Sequence, residues 1–352
     1  MIHAVAGRNL VRITLSVALL LATYRLRPFT GRPTLMIKIS GLTFDYPGHR
    51  ALHQVSLQVE AGSVTALVGS NGAGKTTLMR CIAGLETPLA GSISVAGMDV
   101  LERPREVHRI MGYLSDFYGL YQSLTVAQCF EYAAAAQGLP APAIPQAIQI
   151  TAQQLGLSER LQQTCDKLSR GLRQRVAIGQ AIIHGPKILL LDEPASGLDP
   201  EARASLAGLF RLLQAQGMTL LVSSHILAEL DEYSTHMLAL RDGKVLEYRA
   251  LDHGSTALAP RKSLRIVLAQ ANPGLHAQLA AEPALQVSAS DERSADFMFS
   301  GDEHAQAALL ARLIAAGLQI SSFADQKENL QQSYLRSVAS YEQNGQHSGS
   351  AT

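Results

Sequence analysis

Nine residues, Gly69-Ser70-Asn71-Gly72-Ala73-Gly74-Lys75-Thr76-Thr77, carry the most specific chemistry in the chain. Glycines at this spacing let the backbone fold its N–H groups inward around phosphate oxygens, in conformations that a side chain would block. A helix starting near Lys75 adds the partial positive charge of its N-terminus. Lys75 is then placed to reach the β- and γ-phosphates of a nucleotide, and Thr76 to offer its hydroxyl to Mg²⁺. A second cluster follows, where the apolar run Leu189-Leu190-Leu191 ends in Asp192-Glu193-Pro194. A buried strand ending in an acid puts a carboxylate at the sheet edge where open α/β folds bind ligands. Asp192 suits a Mg²⁺ partner, and Glu193 is placed to orient and polarise an attacking water. An Asp-Glu pair alone reads by default as a solvated acidic turn. The phosphate loop upstream is what favours chemistry.

Further residues stand in a fixed order around these two. Leu168-Ser169-Arg170-Gly171-Leu172-Arg173-Gln174-Arg175 precedes Asp192, and Ala195-Ser196-Gly197-Leu198-Asp199-Pro200 follows Glu193 directly. His225 lies in Ser223-Ser224-His225, after the apolar run Leu220-Leu221-Val222, and Tyr46 lies upstream in Phe44-Asp45-Tyr46. No Asn-Lys-x-Asp sequence is present, which counts against guanine-nucleotide specificity.

This ordered set resembles the ATP-binding-cassette ATPase subunit over roughly residues 37–250. The resemblance implies ATP and Mg²⁺ as cofactors and two subunits that close over two ATPs, each completing the other's site. It assigns Ser169 and Gly171, at a helix start suited to an anion, to the γ-phosphate of the partner's ATP. It assigns Tyr46 to adenine stacking, His225 to the γ-phosphate and attacking water, and Asp199 to the dimer seam. Two departures stand out. The family's Leu-Ser-Gly-Gly-Gln signature has Arg170 and Leu172 here, and the glutamine after Met111-Gly112-Tyr113-Leu114 is replaced by Asp116, a shorter and charged oxygen donor for Mg²⁺. Both variants, with the ending Lys327-Glu328-Asn329-Leu330-Gln331-Gln332-Ser333-Tyr334-Leu335, resemble the ABC-2 branch of two-component exporters, in which a separate permease spans the membrane.

The elements that must position these residues form an α/β pattern. Ser63–Val68, Ile188–Leu191 and Thr219–Val222 are continuous apolar runs, as expected of strands covered on both faces. The expected fold class is a P-loop NTPase cassette over residues 36–250 with a helical insertion at about 115–170, where composition is Ala- and Gln-rich and holds no strand candidate. A second, small α+β domain is expected at 256–338. Its order, strand-helix-strand-strand-helix-strand, is compatible with a ferredoxin-like arrangement. Residues 339–352 are small and polar and are expected to be a disordered tail.

Composition narrows the partners. A net charge of +1 gives no field for recruiting nucleic acid, so no nucleic-acid partner is expected. The three cysteines, Cys81, Cys129 and Cys165, lack the number and spacing of a disulfide framework or a zinc site. Residues 1–35 hold five arginines and no acid around the apolar stretch Ile13–Tyr24, roughly half of the ~20 residues that a membrane span needs. The preferred reading takes Met36 as the start and residues 1–35 as an upstream extension, with a membrane-surface anchor as the competing one. The several apolar spans of a pore are missing, so the expected partners are a second ATPase subunit, identical or paired, and an integral-membrane permease, at the cytoplasmic face of the membrane. The rival function is a soluble cassette ATPase acting on nucleic acid or ribosomes, which would usually carry two cassettes, coiled coils or basic extensions.

Overall fold

The computed structural model describes residues 35–251, 261–280, 282, 285–325 and 330–348. The expectations for residues 1–34 and for 349–352 lie outside these. The chain divides into two compact units, one running up to Ala250 and resuming at Tyr334, the other covering Leu251–Ser333.

The first unit opens with a long hairpin, β1 (Leu35–Tyr46) and β2 (His49–Glu60), turned at Pro47-Gly48. β3 (Val64–Val68) is buried at all five positions and leads into the phosphate loop and helix α1 (Lys75–Ile82). β4 (Ala90–Val95) and the short β5 (Met98–Asp99) complete an antiparallel sheet of order β2-β1-β4-β5. After α2 (Pro104–His108) and β6 (Met111–Leu114) the chain leaves the sheet. It forms α3 (Val126–Ala136) and α4 (Ile144–Gln154), then enters α5 (Arg170–Ile182). α3 is opened by a capping box, in which Thr125 accepts from Gln128 N–H and the Gln128 side chain reaches back to Thr125 N–H. Pro145 in the first turn of α4 is tolerated because that N–H has no helical partner.

β7 (Ile188–Leu191), α6 (Pro200–Ala215), β8 (Thr219–Ser223), α7 (Leu227–Asp231), β9 (His236–Arg241) and β10 (Lys244–Ala250) finish the cassette. The main sheet has order β10-β9-β3-β8-β7-β6, parallel except for the β9–β10 hairpin. β3, β7 and β8 are buried at every position, as both-face coverage requires. One apolar core joins Ile37, Ile39 and Leu57 of the antiparallel sheet, Leu78, Met79 and Ile82 of α1, and Leu67, Leu190 and Leu221 of the main sheet. α1 is thereby fixed between two sheets, which anchors the loop that precedes it.

The second unit contains β11 (Arg261–Leu268), α8 (Leu275–Ala280), β12 (Leu285–Ser290), β13 (Ser294–Ser300), α9 (Glu303–Ala315) and β14 (Ile320–Asp325). Its sheet, order β12-β13-β11-β14 and antiparallel throughout, is the split βαβ arrangement of a ferredoxin-like fold. Leu264, Ile266, Phe297, Phe299, Leu309 and Leu313 form its core.

A final helix, α10, spans Leu330–Ser348. This corrects the expectation of disorder from 339, since residues up to Ser348 are helical. The polar composition of Gln343 onward hid the cause, a half-buried stripe at Tyr334, Ser337, Val338 and Tyr341 with the i, i+4, i+7 recurrence of an amphipathic helix. Ser337 donates to a Glu247 carboxylate oxygen on β10.

Candidate functional site

The candidate residues lie at the carboxyl ends of the parallel strands. β3 delivers the phosphate loop, β6 Asp116, β7 Asp192 and Glu193, and β8 Ser223 to His225. That edge is where ligands of open α/β sheets bind.

Loop conformation explains the glycines. Gly72 and Gly74 have φ of 82° and 100°, in the left-handed region that a side chain disfavours. At Gly69 and Gly74 a Cβ would fall 2.3 Å from Leu240 O and 2.9 Å from Ala51 O, so the neighbouring strands hold the loop from behind. The Lys75 side chain is buried, and its Nζ donates to Gly69 O at 2.9 Å and Ser70 O at 3.2 Å. Both partners are neutral carbonyls. A buried ammonium so placed favours an anion beside it. Thr76 is exposed and Thr77 buried.

Asp192 is 1% exposed, and its Oδ1 accepts from Ser223 Oγ at 2.6 Å. Its Oδ2 is buried without a hydrogen-bond partner, an orphaned acceptor that fits a cation or its bound water. Among the described residues no group of three or more His, Cys, Asp or Glu could hold a metal alone. A divalent ion here would therefore draw further oxygens from phosphates and water, as Mg²⁺ does in nucleotide sites. Asp192 N donates to Leu114 O at 2.9 Å, which ties the end of β7 to the strand that carries Asp116. Partial desolvation, followed by the charges of Asp192 and Glu193, raises the Asp116 carboxyl above its ordinary range, and His225 opposes the shift. The four groups share one field.

Glu193 stands in the left-handed region, φ 49°, unusual for a residue with a side chain. Its N–H donates to Ser223 Oγ at 2.9 Å. Its Oε2 lies 2.7 Å from His225 Nδ1 and accepts from His225 N at 3.3 Å. With the proton on Nδ1, the imidazole leaves Nε2 pointing onward with a lone pair. Ser224 Oγ accepts from Ile226 N at 3.0 Å, turning the chain just after β8 so that His225 faces Glu193. Sequence reasoning missed Ser223, the hydroxyl that joins the two acids. Its only signal was a polar residue ending an apolar strand.

The remaining candidates sit apart from this cluster. Ser169 caps α5, its Oγ accepting from Leu172 N at 3.3 Å, and Asp199 caps α6 through Ala202 N at 2.8 Å. Both are exposed. Gly171 packs close to α6, where a Cβ would lie 3.1 Å from Ala202 Cβ. Tyr46, 39% exposed, ends β1 with its ring edge-on to Phe44 at 4.9 Å. It is carried on the hairpin whose Ala51 carbonyl backs Gly74. The cysteines are all free and buried. Cys129 and Cys165, far apart in sequence, bring their sulfurs within 3.5 Å, and burial pushes the Cys129 thiol up to about 12.

A family model described as ABC transporter matches residues 52–196. The uncharacterized ABC transporter ATP-binding protein YxlF of Bacillus subtilis (strain 168) is 29% identical over 86% of this chain and 99% of its own length. The methionine import ATP-binding protein MetN of Myxococcus xanthus (strain DK1622) is 37% identical over 59% of this chain and 66% of its own. A solved structure of an ATP-binding subunit of an ABC transporter aligns with TM-score 0.56 and 32% identity, covering 62% of this chain and 91% of that one. The chain is an ABC transporter ATP-binding subunit. The ABC ATP-binding subunit binds ATP and hydrolyses it to drive transport, and such subunits pair with membrane permease components. Among its described residues no helix is long and apolar enough to cross a membrane.

Proposed function

We propose that the subunit is half of a two-subunit ATP sandwich that powers export through a separate permease from the cytoplasmic face of the membrane. The observation that carries the reading is the hydrogen-bonded run Asp192–Ser223–Glu193–His225 at the edge of the sheet that also carries Lys75. In this reading the Gly69–Thr77 loop and Lys75 hold the ATP phosphates, Tyr46 stacks on adenine, and Thr76 and Asp192, with Asp116 beside them, hold Mg²⁺. When bound, Mg²⁺ neutralises charge on the phosphate oxygens. Glu193 orients the attacking water through its free carboxylate oxygen, and His225 steadies both that carboxylate and the transferring phosphoryl group. Phosphoryl transfer of this kind depends on positioning and charge stabilisation, and these contacts supply both. Ser169 and Gly171 at the start of α5, with Asp199 at the start of α6, face the second subunit.

One observation supports a permease. A cleft of about 550 Å³ lies between the cassette core and the helical insertion, lined among others by Leu85, Arg105, His108, Arg109 and Gln137, and suits an acidic or apolar segment. The variant signature and Asp116 favour export by resemblance.

The test of the chemistry is Glu193→Gln, measured for nucleotide binding and turnover side by side. ATP affinity is expected to hold while kcat falls about 10²–10³-fold, the usual cost of one preorganised group. Turnover at the parental rate rejects the assignment. Export is tested by co-purifying the multi-span partner and reconstituting both in vesicles; ATP-driven movement toward the ATP-containing side would reject it.

A further inference from the structure

Arg170 replaces a glycine of the family signature, and the structure gives it a partner. It is the first residue of α5, directly after the cap Ser169. Its side chain reaches across to the segment that follows Glu193, where Nη2 donates to Ser196 O at 2.9 Å. The guanidinium then lies over Gly197. A Cβ at Gly197 would fall 2.4 Å from Nη2, 2.5 Å from Cζ and 2.6 Å from Nη1. Gly197 is left-handed, φ 66°, so both its conformation and its lack of a side chain make room for the arginine. Ser196 in turn donates its N–H to Glu193 O at 3.1 Å, closing the turn on which the strained Glu193 sits. Gly171 meets Ala202 alongside, so the starts of α5 and α6 are packed together with Arg170 as the polar clasp between them.

We propose that Arg170 is a positioning residue that ties the signature segment to this subunit's own Glu193 turn. Engagement of Ser169 by the partner's ATP is thereby felt at Glu193 through Arg170 and Ser196. The inference rests on the reading that two subunits pair. The planar guanidinium suits the role because it can donate to a carbonyl while lying flat against a glycine, whereas a lysine is a point donor on a flexible stem. Coupling through such a contact requires that it differ between two arrangements of the pair. The flexible arginine end against a glycine can provide that difference.

The experiment uses the full chain. kcat, KM, nucleotide affinity and Tm are measured for Arg170→Ala, Arg170→Lys, Gly197→Ala and the Arg170→Ala/Gly197→Ala pair, and ATP-dependent dimerisation is followed in the Glu193→Gln background. Arg170→Ala is expected to lower kcat about tenfold, within the usual range of coupling effects, with ATP affinity and Tm near parental. Arg170→Lys should recover little, and Gly197→Ala should cost less once Arg170 is gone, because the clash partner has been removed and only the left-handed backbone penalty remains. Parental kcat in Arg170→Ala, full recovery by lysine, or strictly additive costs overturns the role. If the Glu193→Gln chain stays monomeric with ATP, the pairing reading falls and takes the inter-subunit part of the inference with it. If that chain dimerises while Arg170→Ala keeps its rate, only the role of Arg170 falls.

Discussion

Replacing Ser223 by alanine removes one oxygen from the floor of the site and strands two groups at once. The hydroxyl is fully buried, donates to Asp192 Oδ1 at 2.6 Å and accepts from Glu193 N–H at 2.9 Å. Asp192 Oδ2 already lacks a hydrogen-bond partner, so the variant deprives the other oxygen too. A hydrogen bond to a charged group contributes about 1.5–3 kcal/mol, and a stranded buried N–H costs about 1–3 kcal/mol. Glu193 also sits in a backbone conformation that costs about 1–3 kcal/mol and persists only while its surroundings enforce it. Without the Ser223 anchor the turn relaxes and the carboxylate swings. If about 1.5–3 kcal/mol of this reaches the barrier, kcat falls roughly 10- to 150-fold. The remainder lowers Tm by several degrees, at about 2–4 °C per kcal/mol. Steady-state hydrolysis at saturating ATP and Mg²⁺, calorimetric ATP affinity and thermal unfolding separate the terms, with Ser223→Thr as a hydroxyl-retaining control. Parental kcat in Ser223→Ala beside a lowered Tm would refute the reasoning and reduce Ser223 to packing.

Three further outcomes are expected. Lys75→Ala removes the buried ammonium of the phosphate loop and should weaken ATP binding itself; tight binding by that variant, measured by calorimetry, argues against the loop's role. Gly179→Ala sets two effects against each other. Alanine gains about 1 kcal/mol of helix propensity over glycine, but its Cβ would lie 2.4 Å from Phe130 Cε1 and 2.7 Å from Leu155 Cδ1. Overpacking of about 1–3 kcal/mol wins, so Tm should fall, and a rise would show that the helical insertion yields. His184 is held below the ordinary histidine range by burial, although its bond to Met111 O opposes the shift. As pH drops below about 6.5 the unfolded chain binds that proton first, so stability declines until the folded pKa is passed. His184→Gln, which can keep a donor to Met111 O, should shrink the loss of Tm between neutral and mildly acidic pH, and an unchanged pH dependence would count against it.

The fold was legible where local rules and tertiary demands agree. β3, β7 and β8 are buried on both faces and read as unbroken apolar runs, and the phosphate loop is written in backbone chemistry that few residue types can satisfy. In the second unit the order of short strands and helices is compatible with the ferredoxin-like sheet that forms. What escaped depends on direction rather than identity. Ser223 and Ser224 look alike in sequence, yet strand register turns the first toward Asp192 and leaves the second to bond the Ile226 N–H. Arg170 read as a departure from a motif because its partner lies 26 residues away. Asp199 caps α6, a local role that the motif around it does not announce. The helix that runs to Ser348 is hidden in the sequence because a sparse stripe with a helical period carries little weight in composition.

The buried thiols have a practical consequence for watching this protein at work. Cys81 and Cys129 are both pushed up to about 12, which leaves almost no thiolate for alkylating reagents at neutral pH, and Cys165 is equally shielded from solvent. The sequence also contains no tryptophan. A single engineered surface cysteine would carry a spin or fluorescent label beside silent native thiols, and a single tryptophan would be the sole indole emitter. The parent sequence is thus a ready spectroscopic blank, in which a single reporter near the start of α5 can test in real time whether ATP brings a second subunit to that face.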